Sequence, residues 1–495
     1  MLVFGIHFIR IRSTQTLNPT PSNDRSPQIG LPPATKWVVA IYAAAVAIRI
    51  VLAFTFGSHS PQIVDAQDYD RLAIGLVETG RYSYDTQSGE LTSLRPPLYP
   101  AMVAVIYMVF GVGSYVAVSL VQSVISLATM VLVHRMGNRL VGPRAGLIAA
   151  AIFGFYPSLL AFNCQLLSET LFTFLFTAAV FASLQLQRTP DWRYAVLLGI
   201  LLGLGALARS ILWVCAVPIL GFLVLTSAGE FRWRLRDSAI AAFVFVAVLA
   251  PWAWRNTRLH QTFTVVDVMG GRNVMMGNYE YTPLERSWAT VTDVTGEKAW
   301  YRVLAESRPG GLRGLTQGQI DKLAMRYGVK YFFAHPEQSI PRSIVRFFNF
   351  WQLDRTFVAG FQKGLWGETS KPALAVAFLA FSGGYAIVAL ASILGFFTAT
   401  WPWRIQSPFP FGVNGLLLLW VVLPCAVHTI AFAHSRYHQP LIPIMAIYAA
   451  IVVDRLLSKD WPAIRRALLP SAILGAVLVL AWIREILVVD LRLFG

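Results

Sequence analysis

Long apolar runs alternate with short basic segments along most of the 495-residue chain, and two long polar stretches interrupt that alternation. Runs of roughly 17–25 apolar residues or more, enough to span a bilayer, occupy residues 37–56, 98–133, 144–163, 166–187, 194–227, 237–256, 372–398, 411–433, 437–457 and 467–489. The 194–227 run carries Arg209-Ser210 at its middle and reads as two spans meeting at Arg209, which predicts about eleven transmembrane helices. In the first polar stretch, 57–97, Asp65, Tyr69, Leu72 and Leu76 recur at helical spacing and predict an amphipathic helix over 65–78. The chain then turns at Gly80 and Gly89 and re-enters an apolar run through Arg95-Pro96-Pro97. In the second, 257–371, Ile320, Leu323, Ala324, Tyr327 and Tyr331 predict a helix stopped at His335-Pro336, with another over 339–351.

Composition turns this pattern into a fold class. The chain is 56% hydrophobic and only 13% charged, where a soluble domain has about 25% charged residues. The surplus apolar surface calls for lipid, so the expectation is an all-α polytopic membrane protein. A net charge of +16 raises the question of nucleic acid. The cations, however, lie beside the apolar runs, where membrane topology accounts for them without a nucleic-acid partner. Arg135, Arg139 and Arg144, then Arg188 and Arg193, then Arg232, Arg234 and Arg236, then Arg404, and finally Arg455, Lys459, Arg465 and Arg466 each fall in one inter-run segment. With the N-terminus inside, every one of these is cytoplasmic. The opposite face then receives 57–97, the turn near Asn163, Arg209, 257–371, 434–437 and the C-terminus. Four regions result: a disordered cytoplasmic leader (1–35), an N-terminal transmembrane module (36–256), an outer-face domain (257–371) and C-terminal transmembrane helices (372–495). Cys164, Cys215 and Cys425 show neither disulfide nor metal-ligand spacing. A bacterial inner membrane fits this balance of charge.

The expected outer segments hold the unusual residues. Asp65 lies in line with the apolar stripe of its helix. It is either a general base at the membrane surface or a helix N-cap, and the two are compatible. Arg95 can hold a phosphate bidentately, although spacing alone favours a snorkelling Arg at a proline-led helix start. Glu169 is a costly carboxylate in an apolar run, or a first-turn residue after Ser168 favoured by the helix dipole. Arg209, Arg255 and Arg436 all sit on the side that the positive-inside rule disfavours, which together suggests an anionic ligand. His335, His434 and His438 have no tight metal-type spacing and read as polar interface residues. A divalent metal is not indicated, and no phosphate-binding glycine loop or dinucleotide motif is present.

The order of these pieces resembles the GT-C membrane glycosyltransferases, in particular the bacterial 39/83-type family related to protein O-mannosyltransferases and to the aminoarabinose transferase of lipid A. The resemblance is carried by Asp65 four before Tyr69, Gly80-Arg81-Tyr82, Arg95-Pro96-Pro97-Leu98-Tyr99-Pro100, Ser168-Glu169-Thr170-Leu171, Gly203 to Arg209, Pro251-Trp252 with Arg255-Asn256, Met276-Gly277-Asn278, His335-Pro336 and Arg436-Tyr437. It implies a GT-C helical bundle with interfacial helices in the first outer loop. The donor it implies is a sugar on a polyprenyl phosphate, and the acceptor a lipid, glycan or protein. Asp65 then maps to the base, with Glu169 positioning acceptor or sugar. Asp68, Tyr69, Arg95, Tyr99, Arg209, Arg255, Asn256, Arg436 and Tyr437 become candidates for substrate binding. Leu94 stands where the aminoarabinose transferases carry a Glu. Three rival readings are a flippase or transporter for a lipid-linked sugar, a polysaccharide polymerase or ligase, and a non-catalytic assembly protein. Transporters tend to show repeated halves and charges near mid-membrane, whereas here the polar residues cluster in the outer segments and no repeat is visible.

Overall fold

The computed structural model describes residues 33–400 and 411–487. The expected leader and Arg404 lie, wholly or nearly so, outside them. The described chain is helical, with two isolated bridges as its only β pairing. The N-terminal half runs α1 (Pro33–Thr55), α2 (Val64–Thr79), α3 (Leu98–Phe110), α4 (Tyr115–Leu140), α5 (Pro143–Gly154), α6 (Pro157–Phe162), α7 (Glu169–Arg188), α8 (Trp192–Ala208), α9 (Ile211–Thr226) and α10 (Phe231–His260). Next comes a polar segment with α11 (Gly270–Gly277), α12 (Ala289–Thr292), α13 (Trp300–Glu306), α14 (Gln317–Ala334), α15 (Pro336–Phe350) and α16 (Thr356–Gln362). The chain closes with α17 (Lys371–Phe378), α18 (Gly384–Thr400), α19 (Phe411–Ile430), α20 (Ile442–Leu457) and α21 (Trp461–Glu485).

Eight of the described helices are long and apolar enough to cross a membrane, counting α17 and α18 as one, and four shorter apolar helices accompany them. Large apolar side chains such as Val217, Phe243, Ile387 and Leu469 are exposed on these helices. A bilayer provides that apolar surface with a solvent while each helix satisfies its own backbone. The protein is therefore a multi-pass membrane protein. Helices α7 and α20 form its buried centre. The first packs against α4 and α8, the second against α5 and α18.

Two predicted runs are broken. Residues 98–133, read as one span, form α3 and α4, because Gly111 and Gly113 adopt φ of 91° and 79° that an L side chain resists. Helix α3 packs along α2, so the polar first loop extends to residue 114. The 144–163 run divides at Pro157, which opens α6 after an extended Tyr156. Arg139 donates to Gln185 (2.6 Å) and Arg144 pairs with Asp454 (3.8 Å), so the basic segments gather at one end of the bundle. The polar segments gather at the other.

The polar segment is pinned to the bundle by Met276-Gly277-Asn278. A Cβ on Gly277 would meet the Ala431 carbonyl oxygen at 1.8 Å, so only glycine allows the approach. Asn278 Nδ2 donates to the Ile430 carbonyl (3.0 Å), and buried Arg346 of α15 donates to the carbonyls of Ile430 (2.7 Å) and Ala431 (2.8 Å). The C-terminal carbonyls of α19, which have no partner inside that helix, are thereby satisfied. The predicted helices of this segment form with small shifts. Thr316 and Gln319 make a capping box at the start of α14, and Pro336 occupies the first turn of α15.

Candidate active site

The polar end of the bundle holds a connected set of carboxylates and guanidiniums. Helix α2 has Ile63, not Asp65, at its N-cap, and no side chain caps it. The capping role expected for Asp65 is therefore not used, and its carboxylate turns to arginines. Asp65 Oδ1 accepts from Arg95 Nη2 (2.5 Å), and Oδ2 accepts from Arg436 Nη2. Arg95 also donates to Asp68 through Nε (3.1 Å) and Nη2 (2.8 Å). Arg209 donates through Nη2 to Glu169 (2.5 Å) and through Nε to Ser168 Oγ (3.0 Å), whose hydroxyl meets Tyr69 OH (3.3 Å). Arg436 Nε lies 3.6 Å from Glu169 and joins the two halves. Burial raises the carboxyl pKa of Asp65, but the guanidiniums of Arg436 and Arg95 outweigh it and hold the group well below the usual carboxylate range.

Each arginine is fixed by local structure. The Arg95-Pro96-Pro97 turn hangs on Tyr82, whose hydroxyl donates to the carbonyls of Arg95 (2.9 Å) and Pro96 (3.1 Å). Arg209 lies in an extended link between α8 and α9. Arg436 opens the short 3-10 turn Ser435–Leu441, where its amide donates to His434 Nδ1 (3.2 Å). Burial and the charge of Arg436 push the His434 pKa down to about 3, so the ring is neutral and suited to accept that bond.

The set opens into a cavity of about 530 Å³, within the range of about 300–1,000 Å³ found for small-molecule sites. Asp65, Tyr69, Arg95, Arg209, Arg436 and Tyr437 line its polar end. Phe172 and Phe176 of α7, Leu212 and Cys215 of α9 and Pro424 of α19 line an apolar slot between the spanning helices. The cavity is thus two-ended, cationic at the loop end and greasy toward the bundle.

Other expected substrate contacts fall elsewhere. Glu169 is fully buried, with one oxygen facing Arg209 and Arg436 and the other unpartnered among the described residues. Tyr99 is fully buried and donates to Gln122 (3.1 Å). Asn256 is fully buried too, taking the Ser93 hydroxyl (2.7 Å) and donating to the Val266 carbonyl (2.9 Å). Arg255 stacks on Trp252 (4.6 Å), donates to the Thr92 carbonyl (2.8 Å) and lines a neighbouring open groove. These residues brace the 92–95 strap that presents Arg95. A phosphate-cradling role was expected for Arg255; its Nη1 bonds to that strap, and its Nη2 has no hydrogen-bond partner among the described residues. His335 pairs with Glu337 (3.3 Å) away from the cavity, and His438 is buried against Tyr385. Among the described residues, no three His, Cys, Asp or Glu side chains converge as a metal site.

Asp267 was missed by the sequence reading. It lines the cavity near Arg95, and burial raises its pKa against hydrogen bonds from Ser210 and the Met269 amide. Its only sequence signal was a lone acid in an apolar stretch (Val265 to Met269), which spacing cannot distinguish from a turn residue.

A structure of ArnT from Cupriavidus metallidurans, described as bound to undecaprenyl phosphate, superposes on 90% of the chain with a TM-score of 0.53 at 16% identity. The chain has the GT-C fold. That GT-C likeness spans 64% of the ArnT chain. The oligosaccharyltransferase of Archaeoglobus fulgidus, in a structure described as a complex with Zn and sulfate, superposes on 89% of the chain and 53% of its own, with a TM-score of 0.50 at 15% identity. The family model described as dolichyl-phosphate-mannose-protein mannosyltransferase matches residues 94–254, about a third of the chain. No curated protein matches the sequence. The matched segment begins at the Arg95 strap and runs through Arg209 almost to Arg255.

Proposed function

We propose that the protein is an integral-membrane glycosyltransferase that moves a sugar from a polyprenyl-phosphate donor to an acceptor hydroxyl, with inversion, on the periplasmic or extracellular face. The observation that carries this reading is Asp65 clasped by Arg95 and Arg436 at the cationic mouth of a cavity whose other end is an apolar slot. A polyprenyl phosphate has the same two-ended chemistry. The GT-C fold and the undecaprenyl phosphate in the ArnT relative support the same donor class. The positive-inside rule supports this face, because the basic segments gather at the opposite end of the bundle.

The chemistry needs one base and several cations. The acceptor oxygen attacks the anomeric carbon as its proton passes to Asp65. The bond from that carbon to the phosphate oxygen breaks, and its electron pair leaves with the polyprenyl phosphate. Arg95, Arg209 and Arg436 stabilise the charge that develops there, so the leaving group needs no proton. A carboxylate held by two guanidiniums is a weak base. The donor phosphate competes for the same N–H groups, so donor binding releases Asp65 at the moment a base is required. Glu169 acts at one remove by aiming Arg209 and Arg436, and Tyr69 by fixing Ser168.

A flippase reading is disfavoured because the ion pairs that line the cavity, Asp65 with Arg95 and Arg436 and Glu169 with Arg209, cluster at its polar end. A polymerase or ligase differs only in its acceptor. The test is transfer from radiolabelled polyprenyl-phosphate hexose in nanodiscs by wild type and Asp65→Asn, with label followed into protein, glycan and lipid fractions. Donor consumption by wild type alone is the expected result. Equal turnover by the variant would remove Asp65 as base, and movement of donor across the bilayer without transfer would replace the transferase with a flippase.

A further inference from the structure

The segment 267–292 forms a wall of the cavity and brings to it side chains for which the reaction above has no task. Trp288, Asn273 and Asp267 all line the cavity. Asp267 Oδ1 accepts from the Met269 amide (3.1 Å). The side-chain amide of Asn273 and the indole N–H of Trp288 have no hydrogen-bond partner among the described residues. The Trp288 ring lies 5.9 Å from the ring of His434, and His434 holds the Arg436 amide (3.2 Å). This wall therefore adjoins the turn that carries Arg436, and Asp267 lies close enough to Arg95 to feel its charge.

Position and chemistry together select a ligand. Whatever is bonded to a phosphate held by Arg436, and is not the lipid tail, has to lie beside this wall. A pyranose presents C–H faces that pack on an aromatic ring and hydroxyls that both donate and accept. The wall offers an aromatic face, an acceptor-only carboxylate, an amide that donates and accepts, and a donor-only indole N–H. An isoprenoid would leave the Asn273 amide and the indole N–H unpaired, which disfavours it there. The geometry points to Trp288, Asn273 and Asp267 as the subsite for the glycosyl group of the donor, with the indole as its platform and the other two reading hydroxyls. This rests on the donor reading above and adds to it the residues that select the sugar.

The test measures binding to the full chain in nanodiscs, with farnesyl phosphate and its mannosyl, glucosyl and aminoarabinosyl esters as probes. At least one ester is expected to bind wild type roughly tenfold more tightly than farnesyl phosphate, as one or two net hydrogen bonds supply. Trp288→Ala and Asp267→Asn should each remove most of that preference, with Trp288→Phe retaining more of it than Trp288→Ala. All three variants should bind farnesyl phosphate itself as wild type does, which a folding defect would not permit. An undiminished preference in Trp288→Ala and Asp267→Asn, no preferred ester in wild type, or a parallel loss of farnesyl phosphate binding would each overturn the subsite. The donor reading fails separately, if farnesyl phosphate does not bind or binds Arg436→Gln as well as wild type.

Discussion

Asp65 and Arg436, 371 residues apart in the sequence, form an ion pair that ties the first polar loop to the turn leading into α20. Arg95 holds the other oxygen of the same carboxylate. The proposed base is thus also the point where the N-terminal and C-terminal parts of the bundle meet, and several consequences can be measured.

Replacing Asp65 by Asn removes the proton acceptor while leaving an oxygen for one arginine. Transfer is expected to fall by roughly 10²–10⁴-fold, the usual contribution of a positioned general base. Donor binding should be retained or improved, since the phosphate no longer competes with a carboxylate. Single-turnover transfer and polyprenyl phosphate binding, measured side by side, separate the two effects.

Arg436→Lys keeps the charge but loses the planar fork that reaches Asp65 and Glu169 together. Donor affinity should weaken by about 10–100-fold, because hydrogen bonds between charged groups contribute about 1.5–3 kcal/mol and a lysine cannot make the paired contact. Equal KM values for the lysine variant and wild type would remove Arg436 from the phosphate cradle.

The pair of Glu169 with Arg209 is fully buried on the carboxylate side and 17% exposed on the other. Glu169→Gln leaves the arginine without its counter-ion, and breaking a buried pair on one side costs about 3–5 kcal/mol. The variant should show a lower Tm and a raised donor KM. Glu169→Gln combined with Arg209→Met should recover much of the Tm but none of the transfer, which distinguishes a positioning role from a purely structural one.

Asp321 of α14 accepts the Arg272 amide (3.0 Å), and burial raises its pKa to about 6 in spite of that bond. A carboxyl whose folded pKa exceeds its unfolded value favours the folded state most at low pH. That contribution is complete below about pH 4 and is lost as pH rises through about 6. Wild type should therefore lose Tm between those values. Asp321→Asn should flatten the profile and raise Tm at pH 8, by an amount worth up to about 3 kcal/mol. A Tm–pH scan of both proteins checks this.

Gly277→Ala places a methyl where the Ala431 carbonyl stands. Overpacking of this kind costs about 1–3 kcal/mol, and here it should also loosen the polar segment from α19. Faster proteolysis within 261–370, with the spanning helices intact, is the expected readout.

The sequence by itself determined the class of the molecule and the separation of its basic segments from its polar ones. Those follow from period and charge alone, since an apolar run of sufficient length has few alternatives to a spanning helix and short basic segments have a preferred side. It also placed α2, α14 and α15 to within a few residues, because stripes, prolines and caps are local signals. It did not divide 98–133 correctly. The break at Gly111 and Gly113 depends on backbone conformations that hydropathy does not register.

The partners of the charged residues were decided only by the tertiary structure. Arg209, Arg255 and Arg436 were equivalent in the sequence, each a cation at a helix end. Folding turned two of them into the clasp around Asp65 and Glu169 and set one nitrogen of the third against Thr92 and Ser93. Asn256 and Tyr99 were candidates by position and proved to be buried braces. Trp288 and Asp267 carried no spacing signal, and they reach the cavity because the 261–370 segment folds back over it. A charge or ring gains its function from the groups within a few ångströms of it. In this chain those groups come from loops separated by hundreds of residues, a relation that the one-dimensional pattern does not contain.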